Sequence, residues 1–358
     1  MSKDSRDSRK EERQMELTIA LIGFGNVGRA LVRLMQRKRD ELRERHNLTW
    51  RVTGISTGRH GLAADPAGLD VNATLAAVES GEKLDRLNHL RDVHDNLRLI
   101  RSGVANTLVE LSPLNPQTGQ PALDHCRAAL DAGLHIVTAN KGPLAHGYRE
   151  LRDGAAAKSR AFYFESTVMD GAPIFSMARE GLQGADVIGF RAILNSTTNF
   201  ILTQMESGTS FDDAFKQAQA RGIVEADPSN DVDGWDAATK TAVLVNVLMD
   251  GDLRPTQVDR TGIRDVTPQM LREALARNER IKLLCRAWRE GGRIRTRVAP
   301  EAVSMSDPFA LVTGTNSVVR FTLDTLPGLT VIEEDAGTET TAFGVLADLI
   351  AVVRHFGG

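Results

Sequence analysis

The stretch Leu17-Thr18-Ile19-Ala20-Leu21-Ile22-Gly23-Phe24-Gly25-Asn26-Val27-Gly28-Arg29-Ala30-Leu31-Val32-Arg33-Leu34-Met35 decides the fold class of this chain. Leu17 to Ile22 is an apolar run of strand length ending in glycine. From Asn26 to Lys38, Val27, Leu31, Leu34 and Met35 recur at helical spacing. Strand, tight turn and helix follow one another within about twenty residues. The turn reads G-x-G-x-x-G through Gly23, Phe24, Gly25, Asn26, Val27 and Gly28. The first glycine permits the turn, the second lets backbone approach a pyrophosphate, and the third lets helix and strand pack closely. The helix N-terminus behind it offers free N–H groups to phosphate. This context predicts a dinucleotide site and says little about any second ligand.

Working outward, a second strand is expected at Trp50 to Ser56, before a turn-rich segment from Thr57 to Gly61. Short apolar runs at Leu108–Leu111 and His135–Thr138 flank a helix-like Ala122 to Ala132. Such alternation predicts a parallel βα sheet, a Rossmann-type α/β domain over about 16–150. From Arg160 onward the pattern changes. Ile294, Thr296 and Val298 alternate with Arg295 and Arg297, and Val319, Phe321 and Leu323 alternate with Arg320, Thr322 and Asp324. Period two predicts a sheet with one buried face and one solvated or docked face, so an α+β substrate-binding and dimerisation domain is expected over 151–335. Thr267-Pro268 reads as a helix start, and the helix is expected to run from Met270 through Glu290 to Gly291-Gly292. A C-terminal helix within 336–358 carries Phe343, Leu346, Leu349 and Ile350 on one face and is expected to return to the first domain. Residues 1–15, rich in both charge signs, read as a mobile charged tail.

Bulk properties narrow the function. The 358 residues include 44 Lys plus Arg against 47 Asp plus Glu, a net charge of −3 that gives no field to hold nucleic acid or an anionic membrane. Hydrophobic residues at 41% and charged residues at 25% are ordinary for a globular chain. The uncharged stretches are shorter than a membrane span. Only Cys126 and Cys285 are present, without metal-ligand spacing, and both are expected to be buried thiols of a cytoplasmic protein. Small-molecule chemistry is the expectation that remains.

Three segments carry candidate chemistry. The second strand ends Ile55-Ser56-Thr57-Gly58-Arg59-His60, with no acid before Asp65 to hold ribose hydroxyls. Arg59 could pair with a 2′-phosphate, which favours NADP over NAD, although an exposed loop cation is the plainer reading. Thr138-Ala139-Asn140-Lys141 lies where the carboxyl edge of the sheet should be, so Lys141 either faces chemistry or extends to solvent. In the block from Gly222 to Lys240, Asp236 and Lys240 are four apart and share a helix face. Such a pair could orient a hydroxyl and move its proton, or be an ordinary surface ion pair.

Together, Gly23 to Gly28, Thr138 to Lys141, Glu165-Ser166-Thr167-Val168, Leu194-Asn195-Ser196-Thr197-Thr198-Asn199 and Glu225 to Lys240 resemble homoserine dehydrogenase, in its short form without a C-terminal ACT domain. The resemblance implies reduction of aspartate semialdehyde to homoserine with NAD(P)H, in threonine, methionine and isoleucine biosynthesis; the uncovered face of the alternating strands near Ile294 and Val319 separately predicts a homodimer. The resemblance assigns proton transfer to Lys240, a second catalytic lysine to Lys141 and orientation of the reacting oxygen to Asp236. It places Glu225, Asp231, Ser196 and Thr197 around the substrate, with Glu225 holding the ammonium, and adds Ser112 to the cofactor site. It also implies a structural Na+ on backbone carbonyls of Glu165, Val168, Asp170 and Ala172. The sequence departs from the family at three places. Val-Gly-Ala-Gly reads Val168-Met169-Asp170-Gly171, Asn-Gly-Thr reads Asn195-Ser196-Thr197, and Gly-Pro-Gly-Ala-Gly reads Glu333-Glu334-Asp335-Ala336-Gly337. These leave open an oxidoreductase for another amino-acid semialdehyde or hydroxy acid, or a cofactor-binding regulatory protein without turnover.

Overall fold

The computed structural model describes residues 15–221 and 228–357. The strands are β1 (Met15–Ile22), β2 (Leu48–Thr57), β3 (Gly61–Ala64), β4 (Thr107–Glu110), β5 (His135–Thr138), β6 (Phe162–Tyr163), β7 (Val187–Ile193), β8 (Asp259–Arg260), β9 (Glu279–Glu290), β10 (Arg293–Ser304), β11 (Ser317–Leu323) and β12 (Leu329–Glu333). The helices before β7 are α1 (Asn26–Arg37), α2 (Arg39–His46), α3 (Val71–Glu79), α4 (Asn96–Arg101), α5 (Ala122–Asp131), α6 (Lys141–Ala157) and α7 (Ile174–Gly181). After it come α8 (Ser196–Glu206), α9 (Phe211–Ala220), α10 (Ser229–Val232), α11 (Trp235–Leu248), α12 (Pro268–Ala276) and α13 (Thr338–Phe356).

The first sheet has the order β3-β2-β1-β4-β5-β6, parallel except where β3 folds back on β2. Its order reverses direction between β1 and β4, and open α/β sheets bind ligands at the carboxyl ends of the strands flanking such a point. Gly23 leaves β1 there, its N–H donating to Ser56 O at 3.0 Å, while Leu111 N beyond β4 donates to Ile22 O at 2.7 Å. Met15, counted above with the tail, already belongs to β1; the rest of the tail lies outside the described residues.

The second sheet, β12-β11-β7-β9-β10-β8, is antiparallel except for the short β10–β8 pairing. One expectation fails here. The helix begun at Thr267-Pro268 stops at Ala276, and Glu279–Glu290 is a strand paired along its length with β10. Asn278, at φ 61°, breaks the helix by taking the left-handed conformation that asparagine tolerates. Both faces of β9 are covered between Ile281 and Cys285, so its apolar residues run together and hide the period of two.

The closing helix α13 packs against α1. Ala342, Val345, Leu346, Leu349 and Val352 join Leu17, Ile19, Leu31 and Met35 in one buried cluster. Phe343, expected on that apolar face, is instead 52% exposed, because it points toward the Gly171 turn. Both cysteines are buried free thiols.

Candidate active site

The three glycines divide the work of the cofactor cradle. Gly23 sits at φ 96°, and a Cβ on it would lie 2.3 Å from Leu111 O. A Cβ on Gly28 would lie 2.7 Å from Gly23 O, so this glycine lets α1 approach the turn it follows. A Cβ on Gly25 would meet nothing within 4 Å. That open space above the start of α1, at the crevice between β1 and β4, is where a pyrophosphate backbone would lie against N–H groups, so the residues present fit a dinucleotide. Beneath it, Ser112 Oγ donates to Glu110 Oε1, the fully buried Glu110 faces His125 Nδ1 at 3.2 Å, and Asn96 links His125 to Ser56. Arg59 is exposed in the turn between β2 and β3, and its carbonyl accepts from Lys83 Nζ at 2.6 Å. A cavity of about 440 Å³ beside that turn is lined by Ser56, Thr57, His94, Asp95 and Asn96.

Lys141 is the first residue of α6. The preceding Asn140 caps that helix, accepting from Gly142 N at 2.8 Å, and its Nδ2 donates to Ser112 O at 2.8 Å. The lysine is thereby tied to the ends of β4 and β5 and emerges over the crevice. Asp236 and Lys240 occupy the first two turns of α11, which enters through Gly234 at φ 78° and continues as a buried apolar run. Lys240 Nζ lies 3.1 Å from Asp236 Oδ2 and donates to Leu194 O at 2.7 Å, while Lys141 Nζ lies 3.4 Å from Asp236 Oδ1. One carboxylate from the second domain therefore spans two ammoniums, one of them from the first.

Asn195, the N-cap of α8, joins the remaining groups. Its Oδ1 accepts from Thr198 N, and its Nδ2 donates to Asp231 Oδ1 at 2.6 Å and to Asp236 Oδ2 at 3.0 Å. Thr197 is buried and its hydroxyl bonds Asp231, while Ser196 is part-exposed at the first turn of α8. Glu225 lies outside the described residues. Sequence reasoning gave Asn195 no role of its own, although its place between an apolar strand and Ser-Thr-Thr is a helix-cap signal.

Electrostatics separate the two aspartates that share Asn195. Burial would raise the Asp236 carboxyl, but the Lys240 and Lys141 ammoniums outweigh it and hold it well below the usual carboxylate range. Asp231 is raised, by burial first and then by the negative charge of Asp236. Burial pulls Lys240 down, yet Asp236, Asp170 and Asp231 together raise it, so it stays protonated. Glu333 is pushed up to about 7, by burial and then by Asp170, against the Gly171 N–H and Lys240.

A glycine turn at the switch point with a lysine–aspartate pair at its mouth defines a dinucleotide-dependent oxidoreductase. Residues 23–165 match the NAD binding domain of homoserine dehydrogenase, and residues 173–350 match the homoserine dehydrogenase family itself. The chain belongs to that family, whose members are oxidoreductases acting on a CH–OH group. It is 36% identical over 346 residues to the NAD(+)-dependent homoserine dehydrogenase of Pseudomonas canavaninivorans, with 94% of this chain and 96% of the relative covered. It is 35% identical over 340 residues to the homoserine dehydrogenase of Methanocaldococcus jannaschii, covering 94% and 98%. A hyperthermophilic archaeal homoserine dehydrogenase solved in complex with NADPH superposes with a TM-score of 0.80 at 30% identity, over 96% of this chain and 99% of that one. The Thiobacillus denitrificans homoserine dehydrogenase gives 0.81 at 29%, over 95% and 74%.

Proposed function

We propose that this chain interconverts L-aspartate 4-semialdehyde and L-homoserine, and that Lys240 moves the proton. The carrying observation is Lys240 Nζ held between Asp236 Oδ2 and Leu194 O beside Lys141. In reduction, Lys240 Nζ donates to the aldehyde oxygen, so that no alkoxide persists in a half-buried site. Asp236 accepts from both ammoniums and fixes their directions; Asn195 fixes Asp236. Lys141, on the cofactor side, keeps positive charge by the developing oxyanion. Asp231, Thr197, Ser196 and, by the resemblance, Glu225 line the substrate. Gly23 to Gly28 and Ser112 would hold NAD(P), which when bound supplies or accepts the hydride.

Arg59, with Lys83 beside it, favours a 2′-phosphate and hence NADP, while Asp95 in the neighbouring cavity supplies the acid that β2 lacks and keeps NAD within reach. The structural Na+ stays outside this proposal. Of the backbone carbonyls that would hold it, Ala172 O accepts from Ile174 N at 2.8 Å and Asp170 O packs toward Gly344.

The second sheet also supports a homodimer. A groove of about 820 Å³ on it is lined by Ile188, Arg286 and Trp288, and Ile188, Trp288 and Ile332 are exposed. No helix among the described residues is long and apolar enough to cross a membrane. The test of function follows NADPH absorbance with aspartate semialdehyde and, in reverse, NADP+ or NAD+ with homoserine. Absence of turnover in both directions would refute it. Light scattering at micromolar concentration tests the dimer, which a monomer mass would exclude.

A further inference from the structure

A further cavity lies away from the catalytic crevice, at the edge of the first sheet. There β6, the outermost strand, meets α6, α7 and the end of α11. Lys141 starts α6 and Lys240 lies in the second turn of α11, whereas the cavity is lined by later residues of the same two helices, Tyr148, Arg152 and Ala156 of α6 and Val247 and Leu248 of α11. Along α6 the distance from Lys141 to Ala156 is roughly 20 Å at the helical rise. The volume of about 440 Å³ is that of a small-molecule pocket.

The buried part of the lining is aromatic. Between ring centroids, Phe164 stands 5.1 Å from Phe162, 5.0 Å from Phe175 and 5.8 Å from Tyr148, the last two edge-on, so a flat ligand would add one ring to an existing cluster. The more exposed part is cationic: Arg152, Arg160 and Arg179 line the cavity and no carboxylate does. Two of these guanidiniums are already balanced. Arg152 lies over the Tyr148 ring at 5.7 Å and pairs with Asp153 at 2.8 Å and Asp250 at 3.3 Å. Arg179 lies over the Tyr163 ring at 4.3 Å and pairs with Glu180 at 2.9 Å. Arg160 differs. It is part-buried, its Nε donates to Gly133 O and its Nη1 to Ser159 O, and no carboxylate among the described residues comes within ion-pair distance of it. Two backbone carbonyls occupy only two of the five N–H donors of a guanidinium.

A part-buried guanidinium balanced only by carbonyl dipoles favours an anion beside it, above all one whose two oxygens match its fork. We propose that this cavity is a second small-molecule site, for a flat apolar carboxylate whose ring lies against Phe162, Phe164 and Tyr148 and whose carboxylate meets Arg160. A cationic ligand would face three guanidiniums and no acid, and a neutral one would leave Arg160 without a counter-ion. The site does not depend on which alcohol the chain oxidises.

The probe is naphthalene-2-carboxylate, with the neutral naphthalene-2-carboxamide of the same shape as control, each titrated calorimetrically into the full chain. The carboxylate should bind saturably, with a dissociation constant between about ten micromolar and a millimolar. The amide should bind about tenfold more weakly, and saturating NADPH and homoserine should leave both values in place. Arg160→Gln removes the charge, so it should bring acid and amide to within about twofold of each other. Ala156→Trp, at an exposed helix position, should block both probes at an unchanged thermal midpoint. Absence of saturable binding to the parent would overturn the proposal, as would equal affinity for acid and amide or a preference that survives Arg160→Gln. Displacement by NADPH would overturn it by placing the probe in the cofactor crevice. Should Arg160→Gln fail to fold, Ala156→Trp decides, and undiminished binding to that variant would overturn the site.

Discussion

The cofactor cradle and the lysine–aspartate cluster stand at the same crevice and are built in opposite ways. The cradle is contiguous: Gly23 to Gly28 turn one strand into one helix, with Gly23 and Gly28 answering close backbone contacts and Gly25 leaving the space above the helix open. The cluster is assembled from the start of α6, the cap of α8, the single turn of α10 and the first turns of α11, segments up to about a hundred residues apart in sequence. Its members also set one another's charge, which the cradle's backbone groups do not. A contiguous site fails by losing a ligand, whereas an assembled one fails by losing chemistry.

Lys240→Met sharpens that contrast most. It keeps the apolar stem and removes the proton, so nucleotide binding should persist while aldehyde reduction falls by about a hundred- to ten-thousandfold. Turnover within threefold of the parent would place the proton donor elsewhere, with Lys141 next in line. An exposed ion pair would contribute under about 1 kcal/mol.

The first sheet should carry a pH liability of its own. His135 is 4% exposed, accepts from Ala161 N at Nδ1, and is lowered to about 4 by burial and then by Arg160. The folded form thus refuses a proton that the unfolded chain takes at its ordinary value, and the stability is present in full above about 6.5. It is lost as pH falls from there toward 4, by about 3 kcal/mol. Urea unfolding at pH 7 and pH 4 should show His135→Asn losing about that much less than the parent; equal losses would reject the assignment.

Gly25→Ala separates cradle from scaffold. The position has an ordinary φ of −80° and open space above it, so unfolding should shift by no more than about 0.5 kcal/mol. Fluorescence titration should nevertheless show NADPH binding roughly ten- to a hundredfold weaker, because the new methyl lies where the pyrophosphate must approach. Unchanged affinity would move the phosphates away from this turn. The smallest effect belongs to Arg59→Glu, expected to weaken NADP(H) about tenfold more than NAD(H). Equal weakening would show that Arg59 does not read the 2′-phosphate.

Much of this was legible in the chain itself. Local rules suffice for Gly23 to Gly28, for the βα alternation and for the pairing of Asp236 with Lys240 across one helical turn, because each involves residues within a few positions of one another. The same rules misplaced Glu279–Glu290, where burial of both faces removes the alternation that marks a strand, and Phe343, whose helical face did not say which residues would cover it.

What the sequence alone determined, then, are the features whose causes are short-range: turn geometry, helix periodicity and the chemistry offered by each side chain. Only the tertiary structure decided that Lys141 of the first domain meets Asp236 of the second, that Asn195 serves two aspartates of different acidity, and that the buried Glu333 accepts from Gly171 N. Distances of about 3 Å between such remote residues, and the desolvation that shifts their charges, come from packing the two sheets and α13 around one crevice, and no local pattern encodes them.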